Sequence, residues 1–127
     1  IYPTVDLDAR YPSHQHYNRD LVIGQGDMDH AKAMYVGNSG VQRNDPIVSP
    51  LYGTLKGLPR AHMVIAEFDV LRDEGLLYAD RLQQAGVACE VRLVANQGHG
   101  FINITSVHQP ARAATIEMAQ ALKKLLH

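Results

Sequence analysis

Two side chains in the second half of the chain, Asp69 and His99, have the types and the placement of an acid–base pair. Asp69 directly follows an apolar run, and His99 follows a second strand-like run between Gly98 and Gly100. A carboxylate that accepts a hydrogen bond from imidazole Nδ1–H fixes the tautomer of the ring and stabilises its protonated form, so that Nε2 can take a proton from a nucleophile. The same residues also fit a capped strand end beside a surface histidine, and their positions alone leave both interpretations open.

The residues around this pair predict a strand, a helix, a strand and a helix. Residues 61–67 are nearly all apolar, as in a strand that is covered on both faces. Apolar residues at steps of three and four predict a helix from Arg72 to Ala85, and Gly86 suits its C-cap. Residues 89–94 alternate between apolar and polar, like a half-exposed strand near a sheet edge, and a final amphipathic helix follows.

This order of elements assigns the chain to the α/β class. Short links between strands and helices predict a parallel sheet with right-handed crossovers. The carboxyl ends of its strands share one edge, where sites form in such sheets, so we expect Asp69 and His99 to meet there. We treat residues 1–127 as a single unit, in which residues 7–60 form a loop-rich, cap-like connection and residues 61–127 carry the acid and the base.

The connection itself divides into three parts. Residues 7–20 are polar without periodicity and predict a loop, whereas residues 21–36 have partly helical spacing. Residues 37–60 hold three of the six prolines and four of the ten glycines, which predicts a long irregular link.

Size and composition exclude several classes of protein. The 127 residues suffice for one domain, and 46% apolar with 20% charged residues is typical of a globular protein. A formal net charge of -1 gives no reason to expect nucleic acid as a partner, and no apolar stretch approaches the ~20 residues of a membrane span. The single cysteine, Cys89, predicts a reducing compartment and hence a cytoplasmic location. Because Ile1 opens the chain without an initiator Met, we expect the C-terminal part of a longer polypeptide, with a disordered or cloned start as the alternative.

Several segments around the pair occur together in one known family. These segments are Asp45–Leu51, Gly57–Pro59, Val64–Gly75, Tyr78–Leu82, Ala85–Val87 and His99–Phe101. Together they resemble the hormone-sensitive-lipase-like family of α/β-hydrolases, most densely over residues 44–103. The resemblance implies the C-terminal part of an α/β-hydrolase fold, with about three strands in a mostly parallel sheet and flanking helices. It also implies a serine carboxylic-ester hydrolase that acts without a cofactor or metal, with Asp69 as the acid and His99 as the base. Val70 departs from the family, which usually has proline there.

The nucleophile half of that family's pattern does not occur in this sequence. The family has a His-Gly-Gly-Gly segment for the oxyanion and a Gly-x-Ser-x-Gly elbow for the serine, and neither is present. Of the four serines, only Ser39 has a glycine two residues before it, and Val41 stands two residues after it. We therefore expect this chain to supply the acid and general base of a Ser-His-Asp triad whose serine is absent, for small or medium acyl esters.

An alternative interpretation has no catalysis. In it the chain is an inactive, truncated or split α/β-hydrolase fragment that serves as a structural or interaction module. Either way, we expect it to need the N-terminal hydrolase portion or self-association to cover its sheet. A phosphate or nucleotide site is disfavoured, because no glycine-rich loop joins a strand to a helix here.

The remaining candidates have weaker patterns. Phe101 and Ile102 beside the histidine are candidates for an acyl pocket, although apolar residues at such positions more often only pack; the same holds for Tyr17, Met28, Met34 and Tyr35. Asp73 suits the helix dipole, with support of the histidine loop as a second option. A metal site is not expected, since its only candidates form a scattered set: His14, His16, Asp27, Asp29 and His30.

Overall fold

The computed structural model describes residues 1–18 and 22–126 and contains the strands predicted over residues 61–67 and 89–94. The elements of this described part are α1 (Pro12–His16), α2 (Gln25–Val36), β1 (Ala61–Phe68), α3 (Arg72–Gln84), β2 (Cys89–Gly98) and α4 (Gln109–Leu126). Two short 3₁₀ turns, Pro50–Tyr52 and Phe101–Ile104, complete the list. The predicted order of strand, helix, strand and helix is confirmed. None of the described helices is long and apolar enough to cross a membrane.

The two strands pair in parallel, as the short strand–helix–strand links predicted. Their register runs from Ala61 opposite Cys89 to Ala66 opposite Val94. The centre of β1 is buried, as predicted for a covered strand. By contrast, β2 is exposed over most of its length, including apolar side chains such as Leu93, which is 41% exposed. The prediction of an edge strand is therefore confirmed. However, more side chains of β2 are exposed than a strand with one buried and one exposed face would have.

The number of strands differs from the expected three. In the described residues the sheet has two strands. The opening segment, residues 1–5, runs beside β1 but makes only one backbone hydrogen bond to it, so it does not form a third strand. This bond joins the Tyr2 amide to the Val64 carbonyl, 2.6 Å apart. Tyr2 has a φ of 30°, outside the strand region, and Pro3 has no N–H to donate, so a regular ladder cannot continue.

The helix α3 covers one face of β1 and ends as the sequence predicted. A Cβ on Gly75 would stand 3.3 Å from Ile65 Cδ1, so the glycine permits close approach of helix and strand. At the C-terminus Gly86 adopts a φ of 81°, and its amide donates to the carbonyl of Gln83. The first turn carries the acidic residues Asp73 and Glu74, as the helix dipole favours.

The main core lies between the sheet and α4. It consists of Val64, Ala66, Val94, Phe101, Ala111 and Ala114. Small alanines at the start of α4 let this end of the helix lie close to the sheet. Farther along, Met118 packs only partly and Leu122 is 54% exposed, so the apolar stripe of the helix extends beyond the core.

The segment 7–20 was predicted to be a loop, and this prediction is wrong for residues 12–16, which form α1. Pro12 supplies the φ of a first helical residue, and Ser13 and His14 are buried by contacts with the distant α3. No local periodicity signals such contacts. The partly helical spacing of residues 21–36 is confirmed in α2, whereas the predicted 21–24 part is irregular where the structure describes it.

A buried polar cluster fastens the opening segment to α3. The Glu74 side chain, 0% exposed, accepts the amides of Val5 and Asp6 at 2.8 Å and 3.3 Å. Its second oxygen lies 3.3 Å from Nε2 of the equally buried His14. Burial raises the pKa of Asp6, but hydrogen bonds from Tyr11 and from nearby amides outweigh it and lower that pKa overall. The segment before α1 is thus fixed by polar contacts rather than by strand pairing.

Candidate active site

A change of register near the end of the sheet places Asp69 beside His99. Ala66 pairs with Val94, but the next pair is Phe68 with Gly98, so β2 advances four residues while β1 advances two. Asn96 lies in this irregularity with a φ of 57°, and its amide donates to the Glu67 carboxylate at 2.7 Å. Bulges of this kind re-aim side chains at sheet edges. Asp69 and His99 immediately follow the last pair and therefore emerge side by side.

The two predicted side chains form a hydrogen bond. Nδ1 of His99 lies 2.8 Å from Oδ2 of Asp69. The second carboxylate oxygen, Oδ1, accepts the Leu71 amide at 2.9 Å. Since an ionised carboxylate only accepts, the hydrogen on this bond belongs to Nδ1 of the imidazole. Within the described residues Nε2 makes no hydrogen bond, and the His99 side chain is 22% exposed against 0% for Asp69.

The acid lies in a tight turn. The Arg72 amide donates to the Asp69 carbonyl at 3.1 Å, and Leu71 has a φ of -84° and a ψ of 0°, as at the third position of a type I turn. Aspartate is favoured at the first position of such a turn because its side chain can accept the amide two residues on. Val70 occupies the second position and is completely buried.

The histidine loop uses one of its two glycines for backbone freedom. Gly100 has a φ of 74°, in the left-handed region that favours glycine, and the Phe101–Ile104 turn starts there. Gly98, by contrast, belongs to the last strand pair. Of these two glycines, only Gly100 therefore adopts the left-handed conformation.

Tyr2 is a neighbour of the pair that sequence reasoning missed. Its ring centroid lies 4.3 Å from that of His99, with the planes tilted by 54°. Burial, and secondarily the charge of Asp69, raise the pKa of the Tyr2 phenol. No motif at the start of the sequence signals a contact with a residue so far along the chain.

The candidate pocket residues lie mostly in packed positions. Phe101 is 2% exposed and belongs to the main core, against which Ile102 also packs. This placement favours a packing role, and their contact with substrate stays a prediction. Tyr17 packs beside the buried Met28, whereas Met34 and Tyr35 are 75% and 68% exposed.

The described serine hydroxyls lie apart from His99. Ser39 is exposed, and its hydroxyl accepts the Val41 amide at 3.2 Å. Ser13 and Ser49 are fully buried and hydrogen-bonded elsewhere. Across residues 1–18 and 22–126, no serine hydroxyl is hydrogen-bonded to His99.

The weaker candidates are dispersed. His14 faces Glu74, and Asp29 pairs with Arg10 at 3.1 Å. In the part of the chain that the structure describes, no three His, Cys, Asp or Glu side chains are grouped as metal ligands. Asp73 accepts the Ser13 amide at 2.8 Å and the Arg72 guanidinium, so its contacts are with α1 rather than with the histidine loop.

Comparison with known proteins agrees with this architecture. A profile described as the alpha/beta hydrolase fold matches residues 1–103. The chain belongs to that family. It is 39% identical over 109 residues to lipase 2 of a Moraxella species, an alignment that covers 86% of this chain and 25% of the lipase.

Two further relatives support the assignment. The hormone-sensitive lipase of Mus musculus is 29% identical over 85 residues, covering 65% of this chain and 11% of the lipase, and the predicted resemblance to this family is confirmed. The solved hyperthermophilic esterase of Pyrobaculum calidifontis superposes with a TM-score of 0.91 at 29% identity, covering 99% of this chain and 41% of the esterase. The α/β-hydrolase fold is confirmed, and the chain spans well under half the length of these relatives.

Proposed function

We propose that this chain supplies the orienting acid and the general base of a carboxylic-ester hydrolase. The observation that carries the proposal is the 2.8 Å bond between the buried Asp69 carboxylate and Nδ1 of His99. It leaves Nε2 on the opposite side of a partly exposed ring, in the tautomer that a general base requires. Relatives whose names are lipase and esterase support this choice of reaction.

The reaction assigns each group one task. A serine from outside these 127 residues attacks the ester carbonyl carbon, and its proton passes to Nε2 of His99. When the tetrahedral intermediate collapses, Nε2 gives that proton to the departing alcohol. Water then attacks the acyl-serine, its proton passes to Nε2, and Nε2 returns it to the serine oxygen as the carboxylic acid leaves. Asp69 remains ionised and stabilises the imidazolium at each step. No cofactor or metal takes part, and the substrates are small or medium acyl esters.

The chain also exposes apolar surface beside the sheet. A groove of about 290 Å³ lies between Ile1, β1 and the later turns of α4. The side chains that line this groove are mainly apolar. Val91 and Leu93 of β2 are 37% and 41% exposed. We propose that the remainder of an α/β-hydrolase polypeptide covers the groove. Self-association, or a purely structural role without catalysis, is the alternative that the same surface allows.

A chimaeric enzyme tests the catalytic assignment. Residues 1–127 replace the matching segment of the Pyrobaculum calidifontis esterase, whose hyperthermophilic origin should provide stability in reserve. Hydrolysis of a chromogenic short-chain ester is measured for the chimaera and for His99→Ala and Asp69→Asn within it. We expect kcat to fall by about 10³- to 10⁴-fold in each variant.

Matched controls separate chemistry from folding. His30→Ala and Asp80→Asn remove an exposed histidine and an exposed aspartate and should leave turnover unchanged. Circular dichroism and thermal melting verify that every chimaera is folded. A folded His99→Ala chimaera with parental turnover would disprove the general-base assignment.

The isolated chain provides a second test. Without an outside serine, residues 1–127 should hydrolyse the ester no faster than their His99→Ala variant. Activity that depends on His99 would show that the chain contains its own nucleophile. Light scattering on the same sample shows whether the apolar surface leads to self-association.

We also propose a cytoplasmic location for the protein. The support is the single cysteine, Cys89, which has no partner for an internal disulfide. Cell fractionation with detection of the tagged protein tests this proposal, and recovery in the periplasmic or secreted fraction would contradict it.

A further inference from the structure

The short helix α1 contacts the turn that carries the acid. Ser13 is fully buried, and its hydroxyl donates to the Val70 carbonyl at 2.6 Å. The Ser13 amide donates to the Asp73 carboxylate at 2.8 Å. These partners lie 57 and 60 residues farther along the chain. A single residue of the first helix therefore contacts both the turn after Asp69 and the start of α3.

Ser13 and Asp69 are hydrogen-bonded to the two ends of one peptide unit. The Ser13 hydroxyl donates to its carbonyl, and its amide donates to the Asp69 carboxylate. The Val70 carbonyl and the Leu71 amide share one planar group, so fixing one of them fixes the direction of the other. The Leu71 amide donates to Oδ1 of Asp69 at 2.9 Å, and Oδ2 of Asp69 binds His99 at 2.8 Å. A continuous series of contacts thus joins the Ser13 hydroxyl to the imidazole.

Among the described residues, the Ser13 hydroxyl is the one hydrogen-bond donor to the carbonyl of this peptide unit. Val70 stands at the second position of the turn, where proline would fix φ but valine does not. Its carbonyl lies in a fully buried residue and needs a donor, which Ser13 provides. Around this contact, Tyr17 packs on Phe68 and lies under the Arg72 guanidinium, so the end of α1 encloses the turn.

We propose that Ser13 is a positioning residue for the catalytic acid. Its hydroxyl holds the Val70–Leu71 peptide unit, and this unit holds the Asp69 carboxylate in the orientation that His99 requires. Ser13 touches neither substrate nor reacting atoms. The catalytic consequence rests on the proposed function, whereas the structural consequence for the Asp69–His99 bond does not.

The first experiment measures that bond directly in the native protein. A hydrogen-bonded Nδ1 proton of His99 gives a strongly downfield proton NMR signal, which we expect in the parent protein. Ser13→Ala should broaden or abolish the signal because the carboxylate becomes mobile. The Ser13 hydroxyl makes two hydrogen bonds, since it also accepts the Asp73 amide at 3.4 Å. The matched control is Ser49→Ala, because the equally buried Ser49 hydroxyl likewise makes two, with Leu7 and Arg43. Ser49→Ala should keep the signal.

The second experiment measures turnover in the chimaeric esterase. Ser13→Ala should lower kcat by roughly tenfold to a hundredfold with little change in KM, as expected for a misplaced catalytic group. Ser49→Ala should leave kcat unchanged. If the parent chimaera is inactive, the proposed function fails, and the NMR comparison still decides the role of Ser13.

A rescue variant distinguishes positioning from general loss of packing. Adding Val70→Pro to Ser13→Ala restrains the turn by a different route and should recover part of the signal and of kcat. Ser13→Cys, which keeps nearly the same volume but donates weakly, provides the second variant if Ser13→Ala does not fold. A folded Ser13 variant with the parental signal and kcat would overturn the proposal, as would equal losses in Ser13→Ala and Ser49→Ala.

Discussion

The two loops of the candidate site are built in opposite ways. The acid loop, Phe68–Arg72, has a buried centre, Asp69–Leu71, and both oxygens of its carboxylate accept hydrogen bonds. The histidine loop, Gly98–Ile104, carries a partly exposed imidazole ring. Within the described residues this ring makes one hydrogen bond, to Asp69. In the proposed function this difference is a division of labour, in which the protein immobilises Asp69 and His99 keeps one ring nitrogen directed away from it. An orienting group benefits from rigidity, whereas a general base must reach the reacting atoms.

The largest expected difference between the loops concerns stability. Asp69→Ala should cost about 2–3 kcal/mol, because it leaves the buried Leu71 amide without its acceptor. His99→Ala should cost only about 1 kcal/mol, because removal of the partly exposed ring admits water, which can donate to Oδ2 of Asp69 in place of Nδ1. Urea unfolding of both variants measures the two values. Equal costs would contradict the division between a fixed acid and a loosely held base.

The next test concerns the irregularity that aligns the loops. Asn96→Val should cost about 1–2 kcal/mol, because a β-branched residue is strained at a φ of 57°. Asn96→Gly should stay within about 0.5 kcal/mol of the parent, because glycine adopts this φ readily. The downfield signal of His99 should weaken in Asn96→Val and persist in Asn96→Gly. A normal signal in both would show that this conformation does not align the base.

A glycine pair tests the backbone of the histidine loop. Gly100→Ala should cost about 1 kcal/mol, since Gly100 has a φ of 74°. Gly26→Ala should raise the free energy of unfolding by as much as about 1 kcal/mol. Gly26 lies in α2 with open space where a Cβ would be, and alanine favours the helix more than glycine does. Thermal melting of the two variants shows whether each substitution lowers or raises stability. Stabilisation by Gly100→Ala would show that this loop does not depend on the left-handed conformation.

The smallest effect is expected in the acid loop. Val70→Pro should raise stability by about 0.4–1 kcal/mol, because the second position of a type I turn suits the fixed φ of proline. In the described residues the Val70 amide donates no hydrogen bond that the substitution would remove. Chemical unfolding measures the change. A loss of stability would show that the turn departs from this geometry and that the resemblance to proline-containing relatives does not extend to it.

The second half of the chain was easier to predict than the first for a physical reason. In residues 61–126, apolar spacing reflects burial on one face of each helix or on both faces of β1, and such spacing is local. Before residue 61, by contrast, α1 depends on Ser13 and His14, whose partners Asp73 and Glu74 lie 60 residues away. Polar residues with buried distant partners have the same local pattern as polar residues in a solvent-exposed loop.

The sequence by itself determined the order of the elements from residue 61 onward and the placement of one carboxylate and one imidazole after successive strands. Local propensity and apolar periodicity are sufficient for these features, and the family segments around Asp69 and His99 added the proposed chemistry. Only the tertiary structure decided that the two side chains meet, because the register change at Asn96 advances β2 by two extra residues. It also decided that the Ser13 hydroxyl meets the Val70 carbonyl beside Asp69. Both depend on pairings between distant segments, whose free energy is set by the assembled sheet and core rather than by neighbours in sequence.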